Sequence, residues 1–251
     1  MSKKVIFRGD DLGYSEGVNY GIHKAVSQGL IRSQGVMVNM PATQHGVTLV
    51  KDYDIAFSVH VNICNGRPLT DPALIPSLVT EDGFFKSSTT YRSSKEEFVV
   101  YEEVILEVEA QYLKFTELFG RKPDYFEGHA VASQNFFNAL ETIARKYDLK
   151  YSGLPKNFNQ SLTIGTSRVR MTMASMLPDY DPFDMVKTVV EQMSEDIVEL
   201  FVFHPGYLDW ELLQTSSMTM IRPQEVAMLT GSKIKTFLDK KKVELIDYRD
   251  L

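Results

Sequence analysis

Short apolar runs alternate along this chain with segments in which apolar residues recur every three or four positions. The runs are typical of buried strands, and the recurring positions are typical of helices with one apolar face. The first run ends in two adjacent carboxylates, Asp10 and Asp11. The pattern predicts strands at residues 5–11, 36–38, 55–61, 124–129, near 151, near 169, at 198–203 and at 243–248.

Helices are predicted between these strands. The longest begins at the capping-box pattern of Ser94 and ends at Phe119, before a glycine and a nearby proline. The segment 64–90 is rich in turn-forming residues and is predicted to be a long loop that walls a cleft. Other helices are predicted at 18–30, in a short segment ending at 50, at 135–147, at 183–194 and, as one or two helices, within 223–240.

The alternation of strands and helices covers residues 1–251 without a visible linker or repeat, which predicts a single domain. Polar residues follow several of the predicted strands directly. In a (β/α) barrel the carboxyl ends of all strands converge on one mouth, where the active site lies. We therefore predict a single TIM-like (β/α) barrel with seven or eight strands, and keep a doubly wound open sheet as the alternative.

Composition narrows the possible functions. Lysine and arginine total 27 against 33 acidic residues, so the net charge is −6 and no nucleic-acid-binding surface is predicted. Cys64 is the only cysteine, which excludes an internal disulfide and a multi-cysteine zinc site. Only three apolar residues precede Arg8 near the N-terminus, too few for a signal-peptide core or a membrane span. We expect a cytoplasmic protein without membrane association.

Three of the five histidines directly follow apolar runs: His60, His129 and His204. The other two, His23 and His45, are expected at the surface. Two imidazoles and one carboxylate form a ligand set that suits Zn, Fe, Mn, Co or Ni and leaves positions open for water and substrate. A second aspartate could then take a proton from water, and a further histidine could protonate a leaving amine. The residues therefore favour metal-assisted hydrolysis of an amide or ester.

Four motifs together resemble the YdjC-type carbohydrate deacetylases, which include chitooligosaccharide deacetylases. The C-terminal segments from Trp210 and 222–229 to 243–251 are also similar, so the resemblance covers essentially the whole chain. The motifs are Asp-Asp-Leu-Gly-Tyr-Ser at 10–15, His-Val-Asn at 60–62, Phe-Glu-Gly-His at 126–129 and His-Pro-Gly-Tyr at 204–207.

The resemblance implies removal of an N-acetyl group from an amino sugar or a short chitooligosaccharide, such as diacetylchitobiose, in free or phosphorylated form. It implies a barrel of the glycoside hydrolase/deacetylase type, a divalent metal ion, either Mg or Zn, and a homodimer. By motif match, Asp11, His60 and His129 are the implied metal ligands. Asp10 is the implied general base, and His204 is the implied general acid or oxyanion partner.

The chain departs from the family pattern at two places. Residues 130–133 lack two of the three histidines common in the family, and only His129 remains. Arg8 precedes the aspartates where Asn is usual, and it either favours an anionic substrate or pairs with a carboxylate inside the protein. Arg8 and Asn62 are the predicted substrate-binding residues.

Two other functions stay open. One is metal-dependent hydrolysis of another bond, such as a phosphoester, with Arg8 binding phosphate. The other is a degenerate, non-catalytic carbohydrate-binding protein. The presence of both Asp10 and Asp11 argues against the second, because a binding module needs no separate base.

Overall fold

Nine strands form one sheet at the centre of the computed structural model, which describes residues 3–155, 157 and 160–251. Eight of them follow the order β5-β4-β3-β2-β1-β8-β7-β6, and β9 pairs with β1 beside β2. All pairs are parallel except β6 with β7. The strands are β1 (Lys3–Leu12), β2 (Ser33–Val36), β3 (Ala56–Val61), β4 (Tyr125–Gly128), β5 (Lys150–Tyr151), β6 (Leu162–Ile164), β7 (Ser167–Thr172), β8 (Val198–Phe203) and β9 (Val243–Ile246).

Helices flank this sheet and pack on its outer face. Ser15 caps the first of them by accepting a hydrogen bond from the Val18 N–H. None of the described helices is long and apolar enough to cross a bilayer. The helices are α1 (Glu16–Ser27), α2 (Thr43–Val50), α3 (Ser88–Ser93), α4 (Tyr101–Phe119), α5 (Gln134–Lys146), α6 (Pro182–Gln192), α7 (Trp210–Thr215), α8 (Ile221–Thr230) and α9 (Ser232–Lys241).

The sheet curls into a nearly closed barrel, which confirms the predicted fold class. Two separate apolar clusters show this shape, since one lies between strands and helices and the other lies on the opposite face of the strands. Side chains on a strand alternate between the two faces. The interior cluster comprises Ile6, Ala56, Tyr125, Ile164, Val169, Met171, Val198, Leu200, Val202, Ile246, Tyr248 and Leu251.

The C-terminal turn, Tyr248–Asp250, contacts the edge strand β5, and Tyr248 belongs to the interior cluster. The carbonyl oxygen of Tyr248 accepts a hydrogen bond of 2.7 Å from the Lys150 ammonium on β5. Its ring stacks on Tyr125 with centroids 3.6 Å apart. The Tyr248 hydroxyl, which accepts a hydrogen bond from Arg8, therefore lies at the boundary between the apolar interior and the polar residues of the barrel.

The strand β6 and the helices α3 and α7 were not predicted, so the sheet has nine described strands and not seven or eight. Two boundaries also differ from the sequence prediction. The long helix α4 begins at Tyr101 and not near Ser94, because Glu97 accepts hydrogen bonds from Ser133 and the N–H of Asn135 and so holds the preceding segment against α5. The second strand begins at Ser33, three residues before the predicted start. Sequence periodicity missed both, since the contacts that decide them are distant along the chain.

Candidate metal centre and active site

The carboxyl ends of β1, β3, β4 and β8 meet at one cavity of about 830 Å³, a size typical of small-ligand sites. Its lining contains the polar residues that follow these strands: Asp10, Asp11, His60, His129 and His204. The predicted convergence of these residues is thus observed. His23 and His45 lie elsewhere, beside Tyr53 and Tyr20 respectively.

A bulge at the end of β1 brings two adjacent aspartates into the same cavity. The register between β1 and β2 shifts between Gly9 and Leu12, and Asp11 has a φ of 73°. Aspartate is one of the few non-glycine residues that adopt this left-handed region readily. In a regular strand Asp10 and Asp11 would face opposite sides. The bulge therefore lets both carboxylates reach the cavity.

Three candidate ligand atoms lie close together at the mouth of the barrel. Asp11 Oδ1 is 3.3 Å from His60 Nε2 and 3.2 Å from His129 Nδ1, and the two nitrogens are 2.9 Å apart. Asp11 and His60 are buried, whereas the His129 side chain is 13% exposed toward the cavity. The three atoms thus form a nearly equilateral triangle with one partly open side.

This triangle fits a divalent metal ion. Bonds of about 2.0–2.2 Å around one ion place neighbouring ligand atoms about 3.0–3.5 Å apart. Asp11 Oδ1 is buried and accepts no well-oriented hydrogen bond, so its lone pairs are available. Two imidazoles and a carboxylate suit zinc and similar transition metals, while magnesium prefers oxygen ligands. The two nitrogen atoms therefore favour zinc or a similar transition metal over magnesium.

Further side chains orient each of the three ligands. His60 Nδ1 lies 2.6 Å from Glu127 Oε2, so an N–H at Nδ1 can donate a hydrogen bond to this carboxylate. In that tautomer Nε2 keeps a lone pair for a metal ion. His129 Nε2 lies 3.1 Å from the side-chain amide of Asn65. Asp11 Oδ2 accepts a hydrogen bond of 2.7 Å from Arg222, which leaves Oδ1 facing the imidazoles.

The charges around the triangle favour a cation at its centre. Burial opposes ionisation of Asp11, but Arg222 and His129 outweigh it and hold the pKa of this carboxyl well below its usual range. Burial also opposes a charge on His129, yet Asp11 raises the pKa of His129 to about 9. The same negative field that favours a proton on the imidazole would attract a metal ion, and the two would compete.

Asp10 lies beside the triangle and is paired with Arg8. Arg8 Nη2 donates to Asp10 Oδ2 at 2.9 Å, and Arg8 Nε lies 2.8 Å from Asp10 Oδ1. Arg8 is only 3% exposed and also donates to the Tyr248 hydroxyl at 3.2 Å. Of the two roles predicted for Arg8, internal pairing with a carboxylate is the one observed. Its charge is directed to Asp10, not to the open part of the cavity.

His204 is half-buried at the end of β8 and lines the same cavity. Among the described residues, Nδ1 of its side chain has no hydrogen-bond partner, and its backbone N–H donates to Glu225 Oε2 at 2.5 Å. Burial lowers the pKa of His204 to about 4, although Asp11 and Asp10 oppose this shift. Because this pKa lies well below neutrality, the imidazole is in its neutral form at pH 7.

Comparison with known proteins gives the family. The sequence profile of the YdjC-like protein family matches residues 4–240. This chain belongs to that family. Carbohydrate deacetylase 2 of Listeria innocua serovar 6a is 32% identical, with 99% of this chain and 98% of that protein aligned. A carbohydrate deacetylase of Geobacillus stearothermophilus is 28% identical over 100% of this chain and 98% of its own length.

A solved structure shows the same fold. It is a candidate cellobiose-phosphate cleavage protein from Enterococcus faecalis V583, with a TM-score of 0.83 and 22% identity. The match covers 100% of this chain and 99% of the other. The barrel is therefore shared over the full length of both proteins.

The missing histidines of this YdjC-like protein leave the triangle intact. His129 lies next to Asp11, whereas Ala130, Val131 and Ala132 line the cavity beyond it. The departure from the family pattern thus changes the cavity wall and not the three ligand atoms.

Asn62, predicted to bind substrate, is completely buried and lies outside the cavity lining. Its Oδ1 accepts hydrogen bonds from the N–H groups of Cys64 and Asn65, and its Nδ2 donates to the Asn65 carbonyl. The structure therefore corrects the sequence prediction. Asn62 holds the loop that places Asn65 beside His129.

Glu127 and Arg222 are site residues that sequence reasoning did not assign. Glu127 lies two residues before His129 on β4, so strand alternation alone could have indicated it. Arg222 lies 211 positions after Asp11 and has no local signal.

We expect Arg8→Met to lower the free energy of unfolding by about 3–5 kcal/mol, because Asp10 and Glu127 would remain buried without their counter-charge. Arg8 also lies 3.7 Å from Glu127. The matched control, Arg168→Met, removes an ion pair with Asp196 that is more than half exposed, and should leave the free energy of unfolding nearly unchanged because solvent screens such a pair. Urea denaturation measures both. Equal losses would contradict a structural role for Arg8.

Proposed function

We propose that this protein is a metal-dependent hydrolase that removes the N-acetyl group from an amino sugar or a short chitooligosaccharide. The triangle of Asp11 Oδ1, His60 Nε2 and His129 Nδ1 at the barrel mouth carries the proposal. The carbohydrate deacetylases to which the chain is similar over its full length support the choice of substrate.

Asp11, His60 and His129 would hold the ion. A divalent cation in such a site supplies Lewis acidity, which polarises an acyl carbonyl and makes a water molecule more acidic. The two nitrogen ligands make Zn or a similar transition metal a better candidate than Mg. Asp11 and both imidazoles are already oriented by Arg222, Glu127 and Asn65.

Asp10 would accept the proton of the attacking water. Its carboxylate lines the cavity and is held in a fixed position by two contacts with Arg8. His204 would serve the departing nitrogen, since a C–N bond breaks readily only when that nitrogen gains a proton. Because the imidazole is neutral at rest, it must first take up a proton, either the one that the attacking water releases or one from solvent. It would then donate this proton to the nitrogen as the C–N bond breaks.

The direct test is acetate release from a panel of N-acetylated mono- and disaccharides, each with and without a phosphate group. Release that depends on added metal is expected. Hydrolysis of phosphate esters without acetate release would favour the phosphoesterase alternative. Sugar binding without either product would indicate a non-catalytic carbohydrate-binding protein.

A single set of variants can distinguish the metal ligands from the general base. His60→Ala and His129→Ala should lose metal, because each removes one of three protein ligands. Asp10→Asn should keep the metal and lose turnover by roughly a hundredfold or more, as expected for a lost general base. Metal analysis of the purified proteins and acetate assays give both quantities. Undiminished metal in His60→Ala, or metal loss in Asp10→Asn, would require the roles to be reassigned.

His204→Ala should depress hydrolysis of an N-acetyl sugar more than hydrolysis of an activated acetate ester, while the metal content stays intact. An activated alkoxide leaves without protonation, whereas the amine does not. The ratio of the two kcat/KM values measures the difference. Equal losses would point to oxyanion stabilisation, and no loss would remove His204 from the mechanism.

The positively charged side chain available to the phosphate of a phosphorylated sugar is Arg92 and not Arg8. Three arginines line the cavity, and two of them, Arg8 and Arg222, donate to Asp10 and Asp11. Arg92 is exposed on α3, two residues after the segment 64–90 that was predicted to wall the cleft. Among the described residues, its guanidinium has only a 3.5 Å contact with the Thr89 hydroxyl. Its charge is therefore available to an anionic group.

If the substrate is phosphorylated, Arg92→Met should raise its KM by roughly tenfold, the value of one charge-assisted hydrogen bond. The KM of the unphosphorylated sugar should stay the same, and so should both values in the control Arg168→Met. Steady-state kinetics on the matched pair of sugars measures this. A similar change for both sugars would argue against phosphate recognition by Arg92.

Assembly as a homodimer and a cytoplasmic location remain predictions from the family resemblance and from composition.

A further inference from the structure

We propose that α8 positions the active site from outside the barrel, with Arg222 orienting the metal ligand Asp11 and Glu225 fixing the backbone of His204. This inference rests on the function proposed above, because it assigns the two residues an action through the ligand and through the proton donor. Neither touches the reacting atoms, so both are positioning residues. They lie three positions apart and therefore on the same face of the helix.

Arg222 is 2% exposed and holds three oxygen atoms at once. It donates to Asp11 Oδ2 at 2.7 Å, to the His204 carbonyl at 3.4 Å and to the Met218 carbonyl at 2.9 Å. A carboxylate with both oxygens free could rotate away from the imidazoles or turn both oxygens to the metal. By binding Oδ2, Arg222 reserves Oδ1 for the triangle.

Glu225 is completely buried and holds the other side of His204. Its Oε2 accepts the His204 N–H at 2.5 Å, while Arg222 donates to the His204 carbonyl. The backbone N–H and the carbonyl of His204 are thus both hydrogen-bonded to side chains of α8. Since these groups set the direction of the Cα–Cβ bond, α8 determines where the imidazole lies in the cavity.

The second oxygen of Glu225 links His204 to a wall of the cavity. Oε1 accepts hydrogen bonds from the Ser175 hydroxyl at 2.7 Å and from the Tyr180 hydroxyl at 3.0 Å. The segment that contains them also places Met173 and Met176 in the cavity lining. A substrate pressed against this wall therefore contacts an element that shares one carboxylate with the backbone of His204.

The structure offers variants that separate positioning from simple stabilisation. Arg222→Met removes the hydrogen bond to Asp11. Arg222→Lys keeps a positive charge but lacks the planar guanidinium that donates to several oxygen atoms at once. Glu225→Met removes the acceptor for the His204 N–H, while Glu225→Gln keeps one oxygen that can accept it. Tyr180→Phe is the matched control, since it deletes a bond to Glu225 but leaves the bond between Glu225 and His204.

Arg222→Met should weaken zinc binding by about 10- to 100-fold in titration calorimetry, as is usual when a residue that orients a ligand is lost. Arg222→Lys should fall between this variant and the wild type. Glu225→Met should keep the zinc affinity and the KM but lose kcat by about 10- to 100-fold at saturating zinc. Glu225→Gln should recover most of kcat, and Tyr180→Phe should resemble the wild type.

A readout that needs no activity distinguishes this inference from the proposed function. In protein labelled with ¹⁵N at its five histidines, the His204 amide should be protected from exchange in the wild type, in Glu225→Gln and in Tyr180→Phe, and unprotected in Glu225→Met. If the wild type binds no metal and releases no acetate, the proposed function fails, whatever the amide shows. Variants that lose only thermal stability, with wild-type zinc affinity, kcat and amide protection, would overturn the positioning role of α8.

Discussion

The site depends on one buried carboxylate whose two oxygens have different partners. Asp11 Oδ2 accepts a hydrogen bond from Arg222, and Oδ1 faces His60 and His129. Burying a carboxylate is costly unless it is paired and hydrogen-bonded. Arg222 offsets that cost on one side only. The second oxygen, Oδ1, is therefore buried without a guanidinium partner and faces the two imidazole nitrogens.

The surrounding charges make a cation the natural complement of this arrangement. The buried acids Asp10, Asp11 and Glu127 carry three negative charges, and Arg8 and Arg222 supply two positive charges, so 3 − 2 leaves one negative charge without a guanidinium partner. Although burial opposes their charging, Glu127 raises the pKa of His60 well above its usual range and Asp11 raises that of His129 to about 9, so imidazole protons supply positive charge in the free protein. A divalent ion at the triangle would displace protons from the ligand nitrogens and bind more strongly to the same field.

The barrel gives this charge cluster a rigid and partly dry setting. Parallel strands end side by side, so side chains from β1, β3 and β4 approach without long flexible loops. Gly35 on β2 allows this crowding, because a Cβ there would lie 2.7 Å from Glu127 Oε1 and 3.1 Å from the Cβ of His60. Below the polar layer, Tyr248 and the apolar interior exclude water and support Arg8.

The sequence by itself determined the barrel and most of the strand ends, because alternation of short apolar runs with helical stripes is a local signal. It also indicated which polar residues face the mouth, since His60, His129 and His204 directly follow those runs. The beginnings of α4 and β2 were predicted wrongly. Their boundaries depend on contacts between distant segments, such as Glu97 with Ser133, that periodicity does not encode.

Only the tertiary structure decided what each polar residue does. The bulge that turns Asp11 into the cavity comes from pairing between strands, and the burial of Arg8 against Asp10 comes from the closed interior. Arg222 and Asn62 show the same limit, because one reaches the site from 211 positions away and the other is withheld from it by its own loop. Burial and long-range contacts set charge, orientation and access, and neither is written in the spacing of residues along the chain.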